Sequence, residues 1–133
     1  RRIASIMKIN SDLERMADLA VNIAERALAL AQGPDVRVPA TFRQMTDLTN
    51  TMVRDSLDAF VKVDITLAKR VCRLDDEVDR YNREIIDEVS AFMKHSPAHV
   101  DPGLHLFSAA RQLERIADHA TNIAEDVVYL VEG

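Results

Sequence analysis

Residues 13–25 read Leu-Glu-Arg-Met-Ala-Asp-Leu-Ala-Val-Asn-Ile-Ala-Glu, and residues 113–125 read Leu-Glu-Arg-Ile-Ala-Asp-His-Ala-Thr-Asn-Ile-Ala-Glu. The offset is 100 residues, and 10 of the 13 positions are identical. A common heptad would account for the apolar matches. It would not account for Glu, Arg, Asp, Asn and Glu recurring at the same steps. The stretch is read as a tandem duplication of one helix and its surroundings.

Both copies carry helical periodicity. Ile6, Leu13, Ala20 and Ala27 repeat every seven residues, and Ile9, Met16, Ile23 and Leu30 form a second row three residues on. Spacings of three and four place both rows on one stripe of a helix. Phe42, Met45, Met52, Ala59 and Phe60 repeat this on a second segment, Val71, Val78, Ile85 and Phe92 on a third, and Leu106, Leu113, Ile116, Ile123 and Val127 on a fourth. Gly33-Pro34, Pro39, Ser96-Pro97 and Asp101-Pro102-Gly103 punctuate the chain, and Asp64 offers an N-cap after an interruption at Val63. The predicted helices are 3–31, 41–63, 65–95 and 102–131. Long helices with short connections predict an all-α, up-and-down antiparallel bundle with near-parallel packing. With a period of 100 residues, 32–133 is one complete three-helix repeat and 1–31 is the last helix of a preceding one. That division predicts about 70 residues with two more helices ahead of Arg1. An alanine-rich first helix is expected to pack on the complete unit as a fourth helix, or on a second chain.

Composition bounds the function. The chain has 133 residues, 47% of them hydrophobic and 5% aromatic, with 3 Gly, 4 Pro and a net charge of −5. This fits one aliphatic-cored domain, and the acidic balance argues against binding a nucleic-acid backbone or an anionic membrane. The longest run free of Asp, Glu, Lys and Arg is nine residues, Pro102 to Ala110, so no membrane insertion is expected. The lone Cys72 lies by the apolar stripe and is read as packing, and the composition fits a cytoplasmic protein.

The duplicated polar residues form a stripe. Glu14, Asp18, Asn22 and Glu25 fall together on one side of their helix, as do Glu114, Asp118, Asn122 and Glu125. Carboxylates at i and i+4 repel by a few tenths of a kcal/mol. Their recurrence leaves three readings open: a bound cation, a basic partner, or a solvated face. Oxygen ligands on rigid helices suit Mg²⁺, Mn²⁺ or Ca²⁺, and bridging carboxylates also suit iron. Asp75 and Asp79 make a third i, i+4 pair, positioned to face Glu114 and Asp118 in an antiparallel bundle. Asn22 and Asn122 are additional candidate ligands should a cation be bound. Asp55 and Asp58 are further acidic candidates, with Asp58 on the polar side. His119 stands beside Asp118, but its counterpart is Leu19. No Glu precedes a His by three residues, which excludes a ferritin-type site. No phosphate loop, nucleophile elbow or zinc spacing is present, so no enzyme is predicted.

The doubled Leu-Glu-Arg-x-Ala-Asp-x-Ala-x-Asn-Ile-Ala-Glu, with Ser56-Leu57-Asp58-Ala59-Phe60 and Asp75-Asp76-Glu77-Val78-Asp79, resembles the PhoU family of phosphate-uptake regulators. Ala17 and Ala117 stand where that family usually has Gly. The resemblance implies tandem three-helix bundles in a cytoplasmic, commonly dimeric, non-catalytic protein. It implies negative regulation of phosphate transport and of the phosphate-starvation response, as an adaptor between the ATPase of a phosphate ABC transporter and a sensor histidine kinase. It further implies Glu/Asp-x-x-x-Asp metal motifs, matched here by Glu14/Asp18, Asp75/Asp79 and Glu114/Asp118, for Fe, Zn, Mn or Mg. The alternative is a metal-binding or metal-sensing bundle with no phosphate role. Asp75, Asp79, Glu114 and Asp118 lie in one repeat and are expected to make the better site.

Overall fold

The computed structural model describes residues 1–133 and consists of four α-helices: α1 (Arg2–Gln32), α2 (Thr41–Lys62), α3 (Ile65–His95) and α4 (Val100–Glu132). A single 3-10 turn, Pro97–His99, joins α3 to α4. No helix is long and apolar enough to cross a membrane.

Helices α2, α3 and α4 share one core. Met45, Met52 and Ala59 of α2 are fully buried with Val71, Val78 and Ile85 of α3 and Ala110, Ala117, Ala120 and Ala124 of α4. Small residues on α4 face larger ones on its neighbours, so the helices approach closely without voids. Helix α1 packs against α4 through Ile9, Met16 and Leu19, and its Arg2 guanidinium lies over the Phe60 ring of α2 at 5.0 Å. Of the other predicted row on α1 only Leu13 packs against the core: Ile6 is 44% exposed, and Ala20 and Ala27, with the neighbouring Ala17 and Ala24, face solvent. Their counterparts 100 positions on, Leu106, Ala117, Ala120, Ala124 and Val127, are buried because α2 and α3 cover them. The difference lies in the neighbours, not the sequence.

The connections follow from local chemistry. Asp64 caps α3 by accepting the Leu67 N–H at 3.0 Å. Ser96 accepts the Ala98 N–H at 3.2 Å, and the His99 ring stacks on Phe92 with centroids 4.0 Å apart. The predicted break at Pro102-Gly103 falls inside the first turn of α4. A proline is tolerated there because first-turn N–H groups have no intrahelical acceptor. Gly103 is buried, and a Cβ at that position would overlap the Met93 side chain.

Val63 ends α2 at φ 51°, ψ 46°, the left-handed conformation that a β-branched residue adopts at a cost of about 1–2 kcal/mol. The Val63 side chain is 43% exposed and contributes little packing. Val63→Gly is expected to raise stability by about 1 kcal/mol, less the extra chain entropy glycine adds to the unfolded state. Equilibrium urea unfolding checks this, and an unchanged or lowered midpoint would contradict it.

Candidate functional site: a carboxylate cluster beside a helix seam

Helices α3 and α4 run antiparallel, and their acidic pairs meet. The Asn82 amide donates to Glu114 Oε2 at 3.1 Å, which fixes the register one turn from Asp79. Three carboxyls of this group are held above their ordinary range. Burial raises Glu114 most, followed by the charges of Asp79 and Asp118 and a hydrogen bond with Asp79. Burial likewise leads for Asp75, reinforced by Asp79 and Asp118. Asp118 rises through burial and Asp79, partly offset by His119 and Arg115. Asp75 and Glu114 therefore feel carboxylates from both helices, and Asp118 feels Asp79 across the interface. Asp75 Oδ1 is buried and has no hydrogen-bond partner.

Cys72 adjoins this cluster. Burial pushes its thiol pKa up, and Glu125 and Asp75 push it further, so it is a protonated thiol rather than a nucleophile. Glu14 and Asn22 are exposed on α1, and Asp18, also exposed, faces the α1–α4 pocket that Asp118 lines as well. Asn122 and Glu125 are exposed on α4. No three His, Cys, Asp or Glu side chains are arranged as a metal-ligand set where they stand. The Asp75, Asp79, Glu114 and Asp118 group nevertheless has the donor chemistry a hard cation requires: oxygen ligands, crowded negative charge and an orphaned buried carboxylate oxygen.

The α1–α4 seam runs alongside. A pocket of about 490 Å³ is lined by Arg15, Asp18 and Leu19 from α1 and by Arg115, Asp118 and His119 from α4. Those are three pairs of positions at the repeat offset. Under the pocket, His119 Nδ1 donates to Asp12 Oδ1 at 2.8 Å, and Asp12 is only 6% exposed. Sequence reasoning missed Asp12. Its signal was a charged residue in the Ile9–Met16–Ile23 row, which requires a partner from the facing helix.

The PhoU domain family matches residues 1–27 and 42–127. The chain is 42% identical over 134 residues to a phosphate-specific transport system accessory protein PhoU homolog of Pseudomonas putida, covering 100% of this chain and 52% of the relative. A relative of the same description from Aquifex aeolicus is 43% identical over 133 residues, with 100% and 60% covered. The crystal structure of PhoU from Pseudomonas aeruginosa superposes with a TM-score of 0.93 at 40% identity, covering 98% of this chain and 63% of that one. The phosphate transport system regulatory protein PhoU from Streptococcus pneumoniae superposes with a TM-score of 0.87 at 32% identity, covering 96% and 60%. The chain spans about half the length of the curated relatives it matches.

Proposed function

Because the chain belongs to the PhoU family, we propose that it regulates phosphate uptake and phosphate-starvation signalling as a non-catalytic adaptor between a phosphate transporter and a sensor kinase. The observation that carries this reading is similarity along the whole of this chain, which covers 52% and 60% of the two relatives, to accessory proteins of phosphate-specific transport. A helical bundle with long exposed faces and no nucleophile–base pair suits docking better than turnover. The proposed setting is the cytoplasm, where the transporter's ATPase and the kinase are both reachable, and the proposed assembly is a homodimer.

The test is co-elution of the purified chain with the ATPase subunit of the phosphate transporter and with the cytoplasmic part of the sensor kinase. A stoichiometric complex with either supports the adaptor role. Failure to bind both, with the chain folded, rejects it.

Metal binding is part of the proposal, and it is also the whole of the alternative reading, a metal-binding bundle without a phosphate role. Asp75, Asp79, Glu114 and Asp118 would hold the ion, with Glu14 and Asp18 a second and more open position and Asn22 and Asn122 as auxiliary donors. Support comes from the unpartnered Asp75 Oδ1 and from carboxyl groups raised by burial and, after it, by mutual repulsion. The oxygen donors fit Mg or Mn, and carboxylate bridging also admits Fe or Zn. Such an ion would neutralise the cluster and tie α3 to α4. Elemental analysis beside the co-elution separates the two readings: metal retained with neither partner bound favours the alternative.

A further inference from the structure

The α1–α4 seam is close to self-complementary. Lys8 Nζ meets Asp126 at 2.8 Å, His119 meets Asp12 at 2.8 Å, and Arg26 approaches His105 at 3.4 Å. Contacts that descend on one helix as they rise on the other define an antiparallel pair. The offset of 100 then relates the two strips by a pseudo-twofold axis beside Arg15 and Arg115, which line the same pocket, with apolar residues at Ile9, Met16, Ile23 and Leu30 answered by Ala109, Ile116, Ile123 and Leu130. The surface α1 presents to α4 is thus one that a second α1 could also meet. Tethering favours the pair within one chain, but at high concentration two chains compete for it.

The symmetry breaks on the exposed rim, where Lys8 and Arg26 correspond to Ser108 and Asp126 and two α1 helices would bring Lys8 towards Arg26, and at one buried place. The operation that exchanges the helices carries the Asp12–His119 pair onto Gln112 and Leu19. Asp12 is buried, and its Oδ1 is satisfied only by His119, while Oδ2 has no partner. On the other side, Gln112 Oε1 is buried and unpartnered. If α1 paired with a second α1 in this register, Asp12 would face Leu19 twice. Two buried carboxylates would then lack any partner, a costly arrangement. We propose that the Asp12–His119 hydrogen bond is the buried specificity element of the seam: it directs α1 onto α4 and disfavours pairing of α1 with the α1 of a second copy of the chain. The device works by penalising the wrong partner, as a single buried polar residue fixes pairing in coiled coils. It acts on α1 only. Two α4 helices would set His119 against Gln112, which costs no buried charge, and there α1 itself covers the surface.

Position 15 reports the pairing. In a Cys72→Ser background, Arg15→Cys puts a thiol on the exposed rim of the pocket, and in an α1–α1 dimer the two thiols stand where Arg15 and Arg115 stand now. Arg15→Cys with Arg115→Cys is the positive control, cross-linked within one chain by a short bis-maleimide. The parent carrying Asp12 is expected to stay uncross-linked at high protein concentration. Asp12→Leu is expected to raise the covalent dimer about tenfold or more, with Asp12→Asn between the two. Asp12→Leu with His119→Leu, whose seam is apolar for both partners, is expected to dimerise more than the parent but less than Asp12→Leu, because its intrachain seam is restored. Circular dichroism confirms that each variant is folded, and Asp12→Asn keeps the test open if leucine is not tolerated. Dimer yields equal to the parent in all folded variants, with the control cross-linking, overturn the proposal. So does a parent that already cross-links fully.

Discussion

His119→Leu is expected to lower stability by about 3 kcal/mol, one of the largest effects of any single substitution in this chain. The imidazole is the only partner of a carboxylate that is 6% exposed. Removing the ring leaves Asp12 charged and buried, or forces α1 to shift and hydrate it. Either outcome weakens the main surface by which α1 is attached. For a chain of this size the loss corresponds to a melting midpoint lower by roughly 10 °C. Leucine is a fair replacement, because the repeat itself places Leu19 at the equivalent position. Adding Asp12→Leu to His119→Leu is expected to restore most of the loss, since an apolar pair of similar volume can equal a buried polar one. Chemical denaturation of the four proteins of this cycle measures the coupling. A single mutant that loses less than about 0.5 kcal/mol would show that water already satisfies Asp12.

The same pair shows where the sequence could be read and where it could not. Four helices were legible because period and punctuation agreed: apolar residues at threes and fours, ended by Gly33-Pro34, Val63-Asp64 and Ser96-Pro97. Pro102 misled by two residues, because its missing N–H costs nothing in a first turn. The apolar stripe of α1 was also legible, but not the side that would be covered. Ile6 and Ala20 carry the same pattern as Leu106 and Ala120, and only the presence of α2 and α3 beside α4 buries the latter. Periodicity states that a face is apolar and is silent on what meets it. The approach of Asp75 and Asp79 to Glu114 and Asp118 followed from spacing once antiparallel packing was assumed, and mutual electrostatic coupling reflects it. The Asp12–His119 bond joins residues 107 apart and depends on the relative rotation of two helices, which spacing within either helix does not encode.

The carboxylate cluster makes the second large prediction, in which metal and pH act through the same groups. Without metal, Asp75, Glu114 and Asp118 have folded-state pKa values raised above the 3.8, 4.5 and 3.8 of unperturbed groups. The folded protein then binds more protons than the unfolded chain between those values and the raised ones. Stability must fall as pH rises through that interval and stay reduced at neutral pH. All three groups are substantially solvated, so screening keeps each contribution below about 1 kcal/mol. Asp75→Asn is accordingly expected to raise the stability of the metal-free protein slightly at pH 7 and to flatten its decline with pH. Metal reverses the balance. A cation that binds only the folded state, at a hundred times its dissociation constant, adds about 2.7 kcal/mol and raises the melting midpoint by roughly 10 °C. Asp75→Asn and Asp118→Asn are expected to lose most of that shift, while Asp18→Asn, at the more open position, loses little. Opposite signs in the two states make the test stringent: the same substitution must stabilise the apo protein and weaken its response to Mn²⁺, Fe²⁺ or Zn²⁺. Thermal unfolding with chelator and with each metal measures both. If wild type and Asp118→Asn shift equally, the cluster is not the site, and the acidic stripe serves solvation or a basic partner instead.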